Sequence, residues 1–170
     1  MFIPGLLLIL APAGLQVGGG WEITHLHAGP QDRGYFGCIF AGVGDVDQDG
    51  CADYAVTGVA APPDYPNLGL LVFSGRTGAP LFALVSPAGL NVGNALASAG
   101  DLNRDGIPDV RVGGQTSSPG GITNAGAVVV FSGADGSVLL QIDGTTYYEQ
   151  LGGAVAGGGD VNGDGVPDLV

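Results

Sequence analysis

Apolar positions along this chain come in short runs separated by clusters of glycine, aspartate and proline, a pattern that predicts strands and tight turns. An Ala/Val/Gly-rich run leads into each of three acidic clusters, at 39–43, 95–99 and 154–158. A second run follows the first two clusters at 54–57 and 110–112. A third, strongly apolar, lies at 70–73 and 127–131, and a fourth at 81–85 and 138–142. The third and fourth are joined by Gly75-Arg76-Thr77-Gly78 and Gly133-Ala134-Asp135-Gly136, good hairpin connections because glycine accepts positive φ. Residues 21–26 match the fourth run and predict the outer strand of a unit preceding the first acidic cluster.

These runs are in step with a repeat. Gly44-Asp45-Val46-Asp47-Gln48-Asp49-Gly50-Cys51-Ala52-Asp53 aligns with Gly100-Asp101-Leu102-Asn103-Arg104-Asp105-Gly106-Ile107-Pro108-Asp109. Both align with Gly159-Asp160-Val161-Asn162-Gly163-Asp164-Gly165-Val166-Pro167-Asp168. The offsets are 56 and 59 residues. Val72-Phe73-Ser74-Gly75 matches Val130-Phe131-Ser132-Gly133, and Phe36-Gly37, Val92-Gly93 and Leu151-Gly152 stand ahead of the three clusters. Three markers in one order at nearly one period predict an all-β fold of β-propeller blades, each a four-stranded antiparallel sheet. About three repeats are present, an incomplete propeller whose open blade ends offer a route to self-association. The repeats occupy 20–170, and 1–19 form an apolar leader. That leader reads either as a secretion signal, with a small-x-small site at Ala11-Pro12-Ala13, or as one more strand. It is too short to span a bilayer, which needs about 20 apolar residues.

Charge narrows the function. Four arginines and no lysine oppose sixteen acids, a net charge of −12, which excludes the basic patch that nucleic acid or anionic lipid requires. Ten of the sixteen acids lie in the three clusters, so the clusters call for a counterion. Cys38 and Cys51 do not make a disulfide framework, and the expected hairpin register keeps them apart, so no bond between them is predicted.

The cluster pattern is Asp-x-Asp/Asn-x-Asp-Gly-x-x-Asp. In an extended loop, alternate side chains share a side, so oxygens at positions 1, 3 and 5 converge. Glycine at position 6 permits the closing turn, position 7 offers its carbonyl, and the aspartate at position 9 completes the shell. An all-oxygen set rich in carboxylates suits calcium better than magnesium, which demands a tight octahedron. An EF-hand loop starts the same way but needs an acid at position 12, where Val56 and Val112 stand. Within its own span the first loop has four aspartates and no basic residue, while the second contains Arg104. Ligand charge therefore predicts tighter binding in the first.

With Phe36-Gly37, the acidic loop and then Gly58-Val59-Ala60-Ala61-Pro62, the repeat resembles the FG-GAP repeat of integrin α-chain propellers. The second repeat departs from it at Val92 and at Gly113-Gly114-Gln115. The resemblance implies up to three calcium ions, each between the first two strands of a blade. The implied ligands of the first are Asp45, Asp47, Asp49, the Cys51 carbonyl and Asp53. Those of the second are Asp101, Asn103, Asp105, the Ile107 carbonyl and Asp109. Those of the third are Asp160, Asn162, Asp164, the Val166 carbonyl and Asp168.

No catalytic constellation is visible, since the two glutamates, Glu22 and Glu149, form no recognisable pair and no Gly-x-Ser-x-Gly elbow occurs. His25 and His27 read as strand-surface residues, and Arg111 as a solvent-facing one. Trp21, Tyr35, Tyr65, Tyr147 and Tyr148 read as core or rim with a sugar-binding surface as the alternative. The expected function is a calcium-binding, non-catalytic, secreted or cell-surface module for protein or glycan adhesion, without a membrane span. The runner-up is an accessory propeller of a larger secreted enzyme, such as a hydrolase.

Overall fold

The computed structural model describes residues 6–11, 15–17, 21–28, 37–57, 68–157 and 159–168. Phe36, the segment 58–62, Tyr35 and Tyr65 lie outside the described residues, as does part of the leader. Strands β1 (Leu6–Ala11), β2 (Leu15–Val17) and β3 (Trp21–Ala28) form a three-stranded antiparallel sheet in the order β1-β3-β2. Strands β4 (Phe40–Gly44), β5 (Asp53–Thr57), β6 (Leu68–Phe73) and β7 (Pro80–Val85) form a four-stranded meander. Strands β8 (Ala95–Gly100), β9 (Asp109–Gly114), β10 (Ala127–Phe131) and β11 (Val138–Asp143) form a second with the same order. Every pairing in both is antiparallel, and the strands fall where the apolar runs place them, within two residues. These are two β-propeller blades. Among the described residues, no helix is long and apolar enough to cross a membrane.

Period-two alternation explains how the blades stack. In β5, Ala55 joins a core shared with blade two, while Tyr54 and Val56 turn to the opposite face with Phe73. In β9, Val110 and Val112 face blade one and meet Leu70, Val72 and Leu84 across the seam. All five are fully buried, and burying each such side chain stabilises by about 1.5–3 kcal/mol. The first strands of the two blades touch directly, and the Ser98 hydroxyl donates to the Val43 carbonyl at 3.3 Å.

The sheet holding β3 covers the other face of blade one. His25 sits over Gly78 in the β6–β7 turn, as Leu84 of blade one sits over Gly136 in the β10–β11 turn. β3 thus meets the turn of blade one as β7 meets that of blade two, as its alignment predicts, but it lies between β1 and β2 and not at the outer edge of its sheet. His25 and His27 are half-buried at this seam, not on an open strand surface. The His27 Nε2 lies 2.7 Å from the Tyr54 hydroxyl, and its ring centroid 4.4 Å from that of Phe73.

Three expectations need correction. Arg111 is buried, not solvent-facing: its side chain crosses to the third repeat and donates to the carbonyls of Ala156 at 2.6 Å and Asp168 at 3.1 Å. The predicted strand at 154–158 is irregular over its described residues, 154–157. Tyr147 and Tyr148 are exposed rather than core, on the turn after β11. The cysteines follow the expected register: Phe40 pairs with Val56, and Cys38 and Cys51 are free thiols.

Candidate metal centre

The first two acidic loops begin where the first strand of a blade ends on a left-handed glycine: Gly44 at φ 92° and Gly100 at φ 69°. That conformation excludes most side chains, and space does so too, because a Cβ on Gly44 would stand 2.6 Å from the Pro108 ring. A Cβ on Gly100 would stand 2.5 Å from the Pro167 ring. The second and third loops therefore seat their eighth residue on the glycine that opens the loop of the preceding repeat.

The three loops share one hydrogen-bond frame. The position-1 carboxylate accepts the N–H of position 5 in each, from Asp49, Asp105 and Asp164, always at 3.0 Å. Its second oxygen accepts the N–H of the position-6 glycine at 2.9, 2.9 and 2.7 Å. The position-5 carboxylate accepts the N–H of position 7 at 2.8 Å in all three. Position 4 is left-handed throughout, as Gln48 (φ 58°), Arg104 (φ 63°) and Gly163 (φ 78°). The donors wrap the backbone round the side chains of positions 1, 3 and 5. In the first loop, Asp45, Asp47 and Asp49 each bring one ligand oxygen within 4.8 Å of the others, a group that can hold a metal ion. The second and third loops keep the frame with Asn103 and Asn162 at position 3.

The ninth position does a further job. Asp53 is buried, and its Oδ2 accepts the N–H of Val46 at 2.8 Å while its Oδ1 accepts that of Gly75 at 2.8 Å. Asp109 does the same with Leu102 at 2.8 Å and Gly133 at 3.1 Å. This carboxylate clasps the loop to the hairpin turn of its own blade. Asp168 holds Val161 N–H at 2.6 Å. The contact to the turn is close, since a Cβ on Gly75 would fall 1.9 Å from the Ala52 carbonyl oxygen, and one on Gly133 equally close to that of Pro108.

Electrostatics mark the same residues. Lost solvation raises the pKa of Asp109, more than its bonds from Gly133, Leu102 and Asn103 lower it, and Asp105 adds to the rise. Asp47 is also raised, first by lost solvation within the loop and then, against the Asp49 N–H bond, by the charges of Asp53, Asp49 and Asp45. Burial, then the Asp53 charge, push the Tyr54 hydroxyl up to about 12. One cation answers the first loop: Arg76 Nε donates to Asp49 Oδ2 at 3.0 Å, and its Nη2 to the Asp49 carbonyl. Sequence reading missed Arg76 because it comes from the hairpin turn, 27 residues further along. The signal was available in the alignment of that turn with Gly133-Ala134.

No family model matches the chain. Known proteins do. Integrin α-2 of Mus musculus is 30% identical over 174 residues, covering 89% of this chain. Integrin α-X of Homo sapiens is 29% identical over 91% of it, and integrin α pat-2 of Caenorhabditis briggsae is 40% identical over 45%. This chain is an FG-GAP repeat region of the integrin α type. It spans about 14% of the length of the integrin α-2 and α-X chains. The FG-GAP glycines fall into place on the structure. Gly37, Gly93 and Gly152 all have positive φ, and Gly93 donates its N–H to Gly113 at 2.8 Å as Gly37 does to Thr57 at 3.1 Å.

Proposed function

We propose that this integrin α-like region is a calcium-binding, non-catalytic propeller module of a secreted or cell-surface protein, engaged in adhesion to a protein or glycan. The observation that carries the calcium reading is one loop frame built three times, with carboxylate or amide oxygens at positions 1, 3 and 5. The donor set fits calcium because every available ligand is a hard oxygen. The first ion takes Asp45, Asp47, Asp49, the Cys51 carbonyl and Asp53. The second takes Asp101, Asn103, Asp105, the Ile107 carbonyl and Asp109. The third takes Asp160, Asn162, Asp164, the Val166 carbonyl and Asp168. Bound there, calcium supplies charge neutralisation and fixes the link between two strands, and weak sites of about 10⁻⁴–10⁻³ M suffice in an extracellular setting.

The residues themselves hold the cradle ready: the position-4 residue turns the backbone, and the ninth carboxylate anchors the loop to the hairpin. The integrin relatives support the adhesive reading. Melting curves at equal free calcium and magnesium test the metal reading. Calcium should raise the melting temperature markedly and magnesium little, by mass action on the folded state. Equal responses would remove calcium from the proposal. Calcium-dependent binding to glycan arrays or extracellular proteins tests the adhesive role.

A further inference from the structure

Both blades dock a hairpin turn onto their acidic loop in the same way, through the N–H of Gly75 on Asp53 and that of Gly133 on Asp109. The residue after that glycine therefore lies against the loop in each blade. In blade one it is Arg76, and in blade two it is Ala134. One chain thus carries the same loop with and without a tethered cation.

The position-5 carboxylate shows what the cation does. In each loop its Oδ1 is taken by the N–H of position 7. Its Oδ2 takes the Asn103 amide at 2.8 Å in the second loop and the Asn162 amide at 3.0 Å in the third. The first loop has Asp47 at that place, a carboxylate with no N–H to give. There Arg76 Nε supplies the missing donor to Asp49 Oδ2 at 3.0 Å. Arg76 thus occurs with the loop that carries the extra negative charge, and it sits on one of the oxygens that the calcium reading assigns to the metal.

We infer that Arg76 is a built-in competitor for the first metal site: its guanidinium neutralises Asp49 and must leave Asp49 Oδ2 for a divalent cation to use it. This rests on the calcium reading and adds a regulatory element to it. It also narrows the affinity gap that loop composition alone suggests, because the basic residue lies outside the loop in sequence and on it in space. The first loop should take calcium less tightly than its four aspartates imply.

Calorimetric calcium titration tests this in a chain where Asp105→Ala and Asp164→Ala silence the second and third loops. Arg76→Ala should tighten the remaining site by about two- to fivefold, the range of an exposed ion pair. Alanine is the residue that blade two already tolerates there. The reciprocal change, Ala134→Arg in the otherwise unaltered chain, should weaken the second loop. In chelator, Arg76→Ala should speed amide exchange at Gly50 and Cys51. Calcium uptake by the parent with no tightening in Arg76→Ala would overturn the inference and leave the calcium reading intact. No uptake by either form would overturn both.

Discussion

Removing the ninth-position carboxylate of the second loop separates the clasp seen in the structure from the metal ligation proposed for it. Asp109 is fully buried and accepts the N–H of Leu102 at 2.8 Å and of Gly133 at 3.1 Å. Hydrogen bonds to a charged group contribute about 1.5–3 kcal/mol each. Lost solvation already raises the pKa of this carboxylate, so the lower end of the range applies. Two bonds at that end give about 3 kcal/mol for Asp109→Ala. For a chain of this size that is a fall of about 6–12 °C in melting temperature. Asp105 is the control. It is exposed, and its bonds to Ile107 N–H and the Asn103 amide lie at the surface. In chelator, Asp105→Ala should cost less than about 1 kcal/mol.

Urea unfolding in chelator reads this difference directly, as a shift in midpoint at constant slope. In calcium, both variants should lose the metal's contribution at the second site. Only Asp109→Ala should lose stability with the metal chelated. If Asp109→Ala matched Asp105→Ala in chelator, the clasp would carry no energy of its own, and the ninth aspartate would be a metal ligand alone.

Two other perturbations probe the seams. Gly100→Ala should destabilise by about 2–4 kcal/mol, combining left-handed strain with overpacking on Pro167. Gly89→Ala, at φ 82° with open space around it, should cost only the strain of about 1–2 kcal/mol; equal losses in urea titration would deny the Pro167 contact. The second concerns pH. Burial first, and the neighbouring His25 second, hold the His27 pKa below 6.5. The folded state therefore binds fewer protons than the unfolded one in that window. Stability is full above 6.5 and is lost as pH falls through the folded value. Between about pH 7 and about pH 5, the parent should lose more melting temperature than His27→Gln, and parallel profiles would show that His27 does not titrate at this seam.

The elements of the two blades were legible in the sequence because the acidic loops and glycine turns punctuate it at fixed offsets. The strands between them had little freedom to lie elsewhere. What resisted reading was everything decided by the neighbouring repeat. Arg111 was assigned to solvent because Val110 and Val112 claim the inward face of β9. That logic holds for a sheet with one wet face, whereas both faces of a propeller blade are covered. The face opposite Val110 meets the third repeat, where free carbonyls of Ala156 and Asp168 receive the guanidinium. His27 failed the same way, on a strand whose outer-looking side packs against Tyr54 and Phe73. Of the candidate metal residues, the aspartates and asparagines were visible by spacing alone. Arg76 was not, because its place depends on how one turn docks on one loop.

These seams give the loops a reach beyond cation binding. In each of the two blades the loop joins the first two strands and is clasped to the turn between the other two, so all four strands meet at it. Its eighth residue also rests on the preceding repeat, Pro108 on Gly44 and Pro167 on Gly100. The first loop has Ala52 at that position. Asp168, at the end of the third loop, adds its carbonyl to the Arg111 side chain from blade two. A cation that orders one loop therefore acts on its own blade through the ninth carboxylate and on the blade before it through the eighth residue. On the proposed calcium reading, cation binding at a loop would be coupled to cohesion between blades, and the blade whose turn carries Arg76 has an ion pair in place for the first half of that coupling.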